Sequence, residues 1–225
     1  MSFSSASIDF LIENVMQDSR DWFRDHKQTY IDVLLSPFSH LVERLTPGML
    51  EIDPLLITDP RVDRTLSRIH RDTRFSQDKS LYRDKMWFVF MREKKLYEGL
   101  PAFYFELSPE GFNYGMGYYQ ASTASMEAIR QLVGADTPKF RLADNAYRAQ
   151  DIFVMDGDTY KRSRHPNASE HQREWMDKKS ISFNCHSDDE ELLFSDGLAE
   201  HLLTGYHMLA PVYDFLCQAE AQREI

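Results

Sequence analysis

Residues 102–117 read AFYFELSPEGFNYGMG, and their pattern decides the fold class. Apolar residues alternate with others on both sides of Ser108-Pro109-Glu110-Gly111, which has Pro second and Gly fourth, as a type I turn prefers. Two strands joined as a hairpin follow from that pattern. If Leu107 stands opposite Phe112, one face collects Phe103, Phe105, Leu107, Phe112, Tyr114 and Met116, which makes it a core face. The other face collects Ala102, Tyr104, Glu106, Asn113, Gly115 and Gly117. Two glycines beside a tyrosine leave room there for a backbone, a helix or a ligand.

Outward from the hairpin, MWFVFM at 86–91 reads as a preceding strand. Asp156-Gly157 carries a type I′ turn signal between 152–155 and 158–161, so a second hairpin is expected to deliver Tyr160, Lys161 and Arg162 to an edge. Ile181, Phe183 and Cys185 alternate as a further strand. A first helix runs through Ile8, Leu11, Ile12 and Val15 behind Ser7 as cap. A longer one is expected from Asp18 or Ser19 to Thr46, kinked by Pro37 and ended by Pro47-Gly48. Ser122 caps a helix closed by Gly134, and Thr137-Pro138 starts another. Asn167 with Glu170 resembles a cap for a helix around Trp175. A last helix follows Ser195, with a break expected near Gly205 and Pro211. Strands grouped as hairpins among helices indicate an α+β fold: one domain over 1–225, with a mainly antiparallel β-sheet packed against several helices.

At 225 residues and 42% hydrophobic content the chain can bury a full core, and no linker divides it. The longest apolar run, at 86–91, is far short of a membrane span. The first basic residue is Arg20, so the reading is a cytoplasmic protein with no signal peptide and no membrane segment. Cys185 and Cys217 stand far apart with no second pair near either, which suits free thiols. A formal net charge of -10 disfavours a general nucleic-acid binder.

Against that acidic background, residues 68–85, RIHRDTRFSQDKSLYRDK, set six basic side chains against three acids. Widening the window to 61–85 gives eight bases and four acids. An extended backbone puts Arg68, His70, Asp72 and Arg74 on one face and Ile69, Arg71, Thr73 and Phe75 on the other. A helix would have no apolar stripe to dock, so the extended reading is preferred. Surplus cations require either carboxylates or an anion, and guanidinium forks suit phosphate and carboxylate alike.

The run RIHRDTRFSQDKSLYR at 68–83 closely resembles the R-I-x-R-D-x-R-F-S-x-D-K-x-x-Y-[KR] signature of domain of unknown function 2461. Further matches are Ser19-Arg20-Asp21-Trp22-Phe23 with Lys27, Tyr30 and Pro37, then 104–117, Tyr160-Lys161-Arg162 and 211–216. The resemblance covers almost the whole chain. It implies a domain of mixed helix and sheet and brings no established activity. Two departures stand out: family members more often carry Pro where this chain has Leu81, and Asn where it has Asp18 and Ser19.

The leading expectation is a pocket for a small anionic ligand, phosphate- or carboxylate-bearing, where the basic segment meets the bare hairpin face. Arg68, Arg71 and Arg74 would clamp the anion, Lys79 would neutralise it, and Tyr82 and Tyr104 would donate hydrogen bonds. Asp72 would orient an arginine or act as base, with Lys161 and Arg162 closing the rim. No nucleophile emerges, and no cofactor is expected, because GxxxxGK[ST], GxGxxG and GxSxG are all missing from the sequence. The eight histidines lack metal-ligand spacing, so no metal is expected either. The alternative is a protein-interaction module or homodimer using Trp22, Phe23, Tyr30 and the arginines. A third reading, single-stranded nucleic acid stacked on Phe75, Tyr82 and Trp87, conflicts with the acidic composition.

Overall fold

The computed structural model describes residues 2–74, 77–93 and 99–223. The helices are α1 (Ser5–Gln17), α2 (Arg20–Asp25), α3 (Lys27–Tyr30), α4 (Ser36–Ile52), α5 (Thr123–Gly134), α6 (Pro138–Arg148), α7 (Glu170–Met176), α8 (Glu190–Leu193) and α9 (Leu198–Arg223). The strands are β1 (Met86–Phe90), β2 (Ala102–Ser108), β3 (Gly111–Gly117), β4 (Val154–Asp156) and β5 (Ser182–Ser187). They form one antiparallel sheet in the order β1-β2-β3-β5-β4, so the fold is α+β. Among the described residues no helix is long and apolar enough to cross a membrane.

The chain falls into two compact units. The first comprises Met1–Phe90, Tyr104–Tyr114 and His186–Leu203. Its core is an aromatic stack: the Phe3 ring lies 5.0 Å from Phe38 and 6.0 Å from Phe105, and Phe88 lies 5.4 Å from Phe105. The second comprises Met91–Phe103, Gly115–Cys185 and Thr204–Ile225. It packs around fully buried Trp175, whose ring meets Phe140, Phe183 and Phe215 and whose Nε1–H donates to Asp144 at 2.9 Å. The core face assigned to β2 and β3 is buried throughout.

Several boundaries differ from the sequence reading. Ser4, not Ser7, caps α1, and the buried stripe is Ser7, Phe10, Leu11 and Asn14, with Ile12 left exposed. Two polar residues at helical spacing concealed that stripe: the Ser7 hydroxyl donates to the Val33 carbonyl at 2.7 Å. The expected helix from 18 to 46 is divided into α2, α3 and α4. Ser19 caps α2 through the Trp22 N–H, and from Lys27 the helical backbone continues through a wider π turn at Ile31–Leu35 directly into α4, with Pro37 just after that turn. Pro47-Gly48 does not end α4. A Cβ at Gly48 would stand 2.5 Å from Leu203, so this glycine serves a close helix approach. Ser169, not Asn167, caps α7, and α9 continues through Gly205 and Pro211.

The bare face of β3 is occupied by backbone. A Cβ on Gly111, Gly115 or Gly117 would collide with the main chain of Ser187, Phe183 or Ser182 respectively. The Asp156-Gly157 hairpin does not form: β4 pairs with β5, Met155 opposite Phe183, and 158–161 touches 178 through a single bridge. Gly157, at φ 122°, lets the chain pass directly over the Ser180 carbonyl.

Gly115→Ala is expected to destabilise by on the order of 3 kcal/mol or to prevent folding, since rigid strand backbone must move. Gly134→Ala at the end of α5, where the nearest atom would be 3.7 Å away, should be neutral or stabilising by about 0.5 kcal/mol. Urea denaturation of both variants checks the contrast.

Candidate functional site

The basic segment begins with a turn. Asp63 adopts left-handed backbone at φ 68°, a conformation Asp tolerates, while Thr65 N–H and Arg61 N–H both donate to the Asp59 carbonyl. From there the chain is extended and meets its own return arm. Ser67 N–H donates to the Trp87 carbonyl at 2.9 Å, Arg71 N–H to Leu81 at 2.9 Å, and Arg83 N–H to Ile69 at 3.0 Å. The bridges are Leu66 with Phe88 and His70 with Tyr82. Four positions separate the bridges on one arm and six on the other, so the return arm bulges and the ladder is interrupted. The alternation expected of an extended segment is present without a regular strand: Ile69 is buried, Arg71 half-buried, and Arg68, His70, Asp72 and Arg74 exposed. Phe75 and Ser76 lie outside the described residues.

All eight cations of 61–85 have a protein acceptor. Arg61 and Arg64 both reach Asp59, at 2.5 and 3.9 Å. Arg68 forms a two-pronged pair with Asp63 at 2.5 and 2.6 Å, and Arg74 one with Asp72 at 3.0 and 2.7 Å. Arg71 meets Asp78 at 3.1 Å and Lys85 meets Glu106 at 3.0 Å. Lys79 donates to the Thr73 carbonyl at 2.8 Å. Arg83 donates to the Arg68 carbonyl at 2.8 Å and lies over the Trp87 ring. The hydrogen bond from Arg74 holds the Asp72 carboxyl far below the usual carboxylate range, and Arg68 does the same more mildly to Asp63. The pairs of Arg68 and Arg74 are more than half exposed on the arginine side, at 63% and 77%. Such pairs exchange at little cost.

Arg68, Asp72 and Arg74 therefore share one face, and Arg71 belongs to the other with Ile69. The buried Nε of Arg71 has no partner among the described residues. The Lys79 ammonium is turned back onto the segment's own main chain. Tyr104 lies half-buried on the Glu106 side of β2. Lys161 and Arg162 belong to the second unit, where both are exposed.

Two residues outside the expected set join the first face. His70 packs its ring against Phe23 and Tyr82, centroids 5.1 and 4.9 Å away, and Phe23 stacks on Tyr82 at 5.1 Å. Desolvation by these rings, then the charges of Arg20 and Arg68, pull the His70 pKa below its ordinary value. Arg20, one position past the Ser19 cap, has no ion pair among the described residues. Its charge reaches both His70 and Tyr82. The usable signal for His70 was its position opposite Tyr82, which requires knowing that the segment folds back on itself. Of Trp22, Phe23 and Tyr30, expected as an interaction surface, Tyr30 is buried at 8% exposure, while Trp22, stacked on His26 at 4.1 Å, and Phe23 are half-buried.

One hydrogen bond ties the segment to the helices. Asp18, left-handed at φ 39° where α1 ends, accepts from the Leu81 N–H at 2.6 Å. A proline at 81 has no N–H to offer. Asp18→Ala is expected to cost about 1 kcal/mol in the natural background and close to nothing beside Leu81→Pro. A four-variant denaturation cycle measures that coupling, and equal costs in both backgrounds would contradict it. For His70, a folded pKa below that of the unfolded chain means the unfolded state binds the proton better. Stability is then full above pH of about 6.5 and is lost as pH falls through the folded value. His70→Gln should flatten that part of the curve, read as the difference between wild-type and variant stability across the acid side of neutrality.

No curated protein matches the chain. A family model described as conserved hypothetical protein (DUF2461) matches residues 6–215. That span includes every element from the first turns of α1 to the middle of α9, the basic segment and Tyr160-Lys161-Arg162 among them. The chain belongs to the family of domain of unknown function 2461.

Proposed function

We propose that the protein binds a small anionic ligand, phosphate- or carboxylate-bearing, on the face of the first unit formed by Arg20, Arg68, His70 and Arg74. The observation that carries this reading is the setting of His70. Two guanidiniums act on its ring, and one of them, Arg20, has no ion pair among the described residues. A ligand oxygen there meets the charges of Arg20 and Arg68, of which Asp63 pairs with the second. Arg68 and Arg74 exchange Asp63 and Asp72 for the ligand, because both pairs are exposed and geometrically independent of the core. The neutral imidazole of His70 supplies one donor or acceptor to a bound group, and Phe23 and Tyr82 fix its plane. Arg71 acts from the opposite side as the anchor of Asp78, and Lys79 as a strut inside the loop.

A thermal-shift series with nucleotides, sugar phosphates and dicarboxylates tests the reading. Ligand at about a hundredfold over its dissociation constant adds roughly 2.7 kcal/mol to stability. The response is expected to fall in Arg20→Ala and in Arg68→Ala and to keep its wild-type size in Lys79→Ala. Silence from every anion, or a response undiminished in both arginine variants, would overturn it.

A further inference from the structure

Among the described residues, a second group of exposed cations without ion pairs lies in the second unit: Lys161, Arg162, Arg164 and Lys179. The loop after β4 is pinned along 158–164: Lys179 N–H donates to the Asp158 carbonyl at 2.7 Å, Tyr160 N–H to the Asp177 carbonyl at 2.9 Å, and Arg164 N–H to the Asp177 carboxylate at 3.2 Å. Lys178 Nζ ties the same loop to the Gly157 carbonyl at 3.0 Å. On this frame the Tyr160 ring collects three cations. The guanidinium carbon of Arg164 lies 3.9 Å from the ring centroid, that of Arg130 5.5 Å, and Lys179 Nζ 5.7 Å.

Arg130 is a fixed charge. It is 8% exposed and its Nε and Nη2 donate to the Met176 and Lys178 carbonyls at 2.9 and 2.8 Å, with Glu127 at 3.5 Å as its carboxylate partner. Lys161, Arg162, Arg164 and Lys179 are exposed, and among the described residues none of them has an ion pair. The buried carboxylate nearest in sequence, Asp177, receives the main-chain N–H of Arg164. One aromatic face attracts a cation only weakly, and three cations around one ring repel each other. An anion seated among them removes that repulsion, and guanidinium forks match phosphate oxygens two at a time.

We propose that Arg164 and Lys179, gathered with the fixed charge of Arg130 at the Tyr160 ring, and exposed Arg162 two positions along the same loop form a second anion site whose ligand is a small molecule bearing a phosphomonoester or pyrophosphate group. This site is independent of the one around His70. A small ligand suits it better than a polyanionic strand, because the chain carries a net charge of -10 that repels an extended polyanion beyond the patch. The loop's frame is made by main-chain groups at 160, 164 and 179, so the side chains can be changed without dismantling it.

The test is a titration of the 15N-labelled full chain with inorganic pyrophosphate at constant ionic strength, following the amides of 160–165 and 178–179. Saturable shifts at those amides are expected. They should weaken by about tenfold or more in R164Q/K179Q, by a similar amount in R162Q/R164Q, and remain unchanged in Arg68→Ala, which removes only the first-unit site. Unaltered spectra elsewhere in each variant verify the fold. The proposal is overturned if those amides do not move, if both double variants bind as the wild type does, or if chloride at matched ionic strength gives the same shifts. An oligonucleotide or acidic vesicle that binds where pyrophosphate does not would also overturn it.

Discussion

Strand β3 lies beside β5 only because three of its seven positions carry no Cβ. Gly111, Gly115 and Gly117 alternate with Phe112, Tyr114 and Met116. One side of the strand is therefore built from large buried side chains, and the other, apart from Asn113, from bare backbone against backbone. Each glycine sacrifices unfolded-chain entropy and in return removes a collision that no rotamer change relieves. Room that the sequence offers at the three glycines is filled by the main chain of 182–187, and the exposed cations stand on segments outside the sheet.

The first of those segments solves its charge problem with near neighbours. Arg61 pairs with Asp59 and Arg74 with Asp72, two positions away, and Arg68 with Asp63 across one turn. Pairs so close in sequence assemble without help from the fold, and exposed ones contribute little to stability. They restrain the arginines without committing them. Arg71 differs: its half-buried guanidinium holds Asp78 across the loop and shares a face with buried Ile69. Within eighteen residues, then, arginines of similar appearance divide between exchangeable and structural duty. The division follows the period-two alternation of the backbone.

That alternation is why the hairpin and the faces of the basic segment were legible in the sequence. A period of two with a Pro-Gly turn has few other solutions. What was not legible has specific causes. Pro37 and Pro47 read as interruptions, but one sits just after a π turn and the other inside α4. Ser7 and Asn14 hid the buried stripe of α1, because a polar residue in a core face gives no periodic signal. Asp156-Gly157 carried the right residues for a hairpin, yet β4 found a distant strand, a tertiary pairing that outweighs the local turn signal. Within the site, the sequence displayed the cations but not their partners. Glu106 answers Lys85 from β2 and Arg20 reaches His70 from α2, and neither relation has a fixed spacing along the chain.

The two departures from the family signature meet in space, and this gives them a common cause. Where a proline at 81 would need no acceptor, leucine brings an N–H that must be satisfied, and the oxygen that receives it belongs to Asp18. Position 18 ends α1 in left-handed backbone, a conformation that Asn and Asp both tolerate, so geometry alone does not choose between them. Charge does. A carboxylate is a stronger acceptor than an amide for this N–H. Burial raises the pKa of the nearby Tyr82 hydroxyl, Arg20 lowers it, and the Asp18 carboxylate adds to the rise. Aspartate at 18 therefore fastens the return arm to the helices and, at the same time, moderates the positive field around Tyr82 and Arg20. The pairing that fixes the segment in place thereby also helps set the charge beside its exposed face.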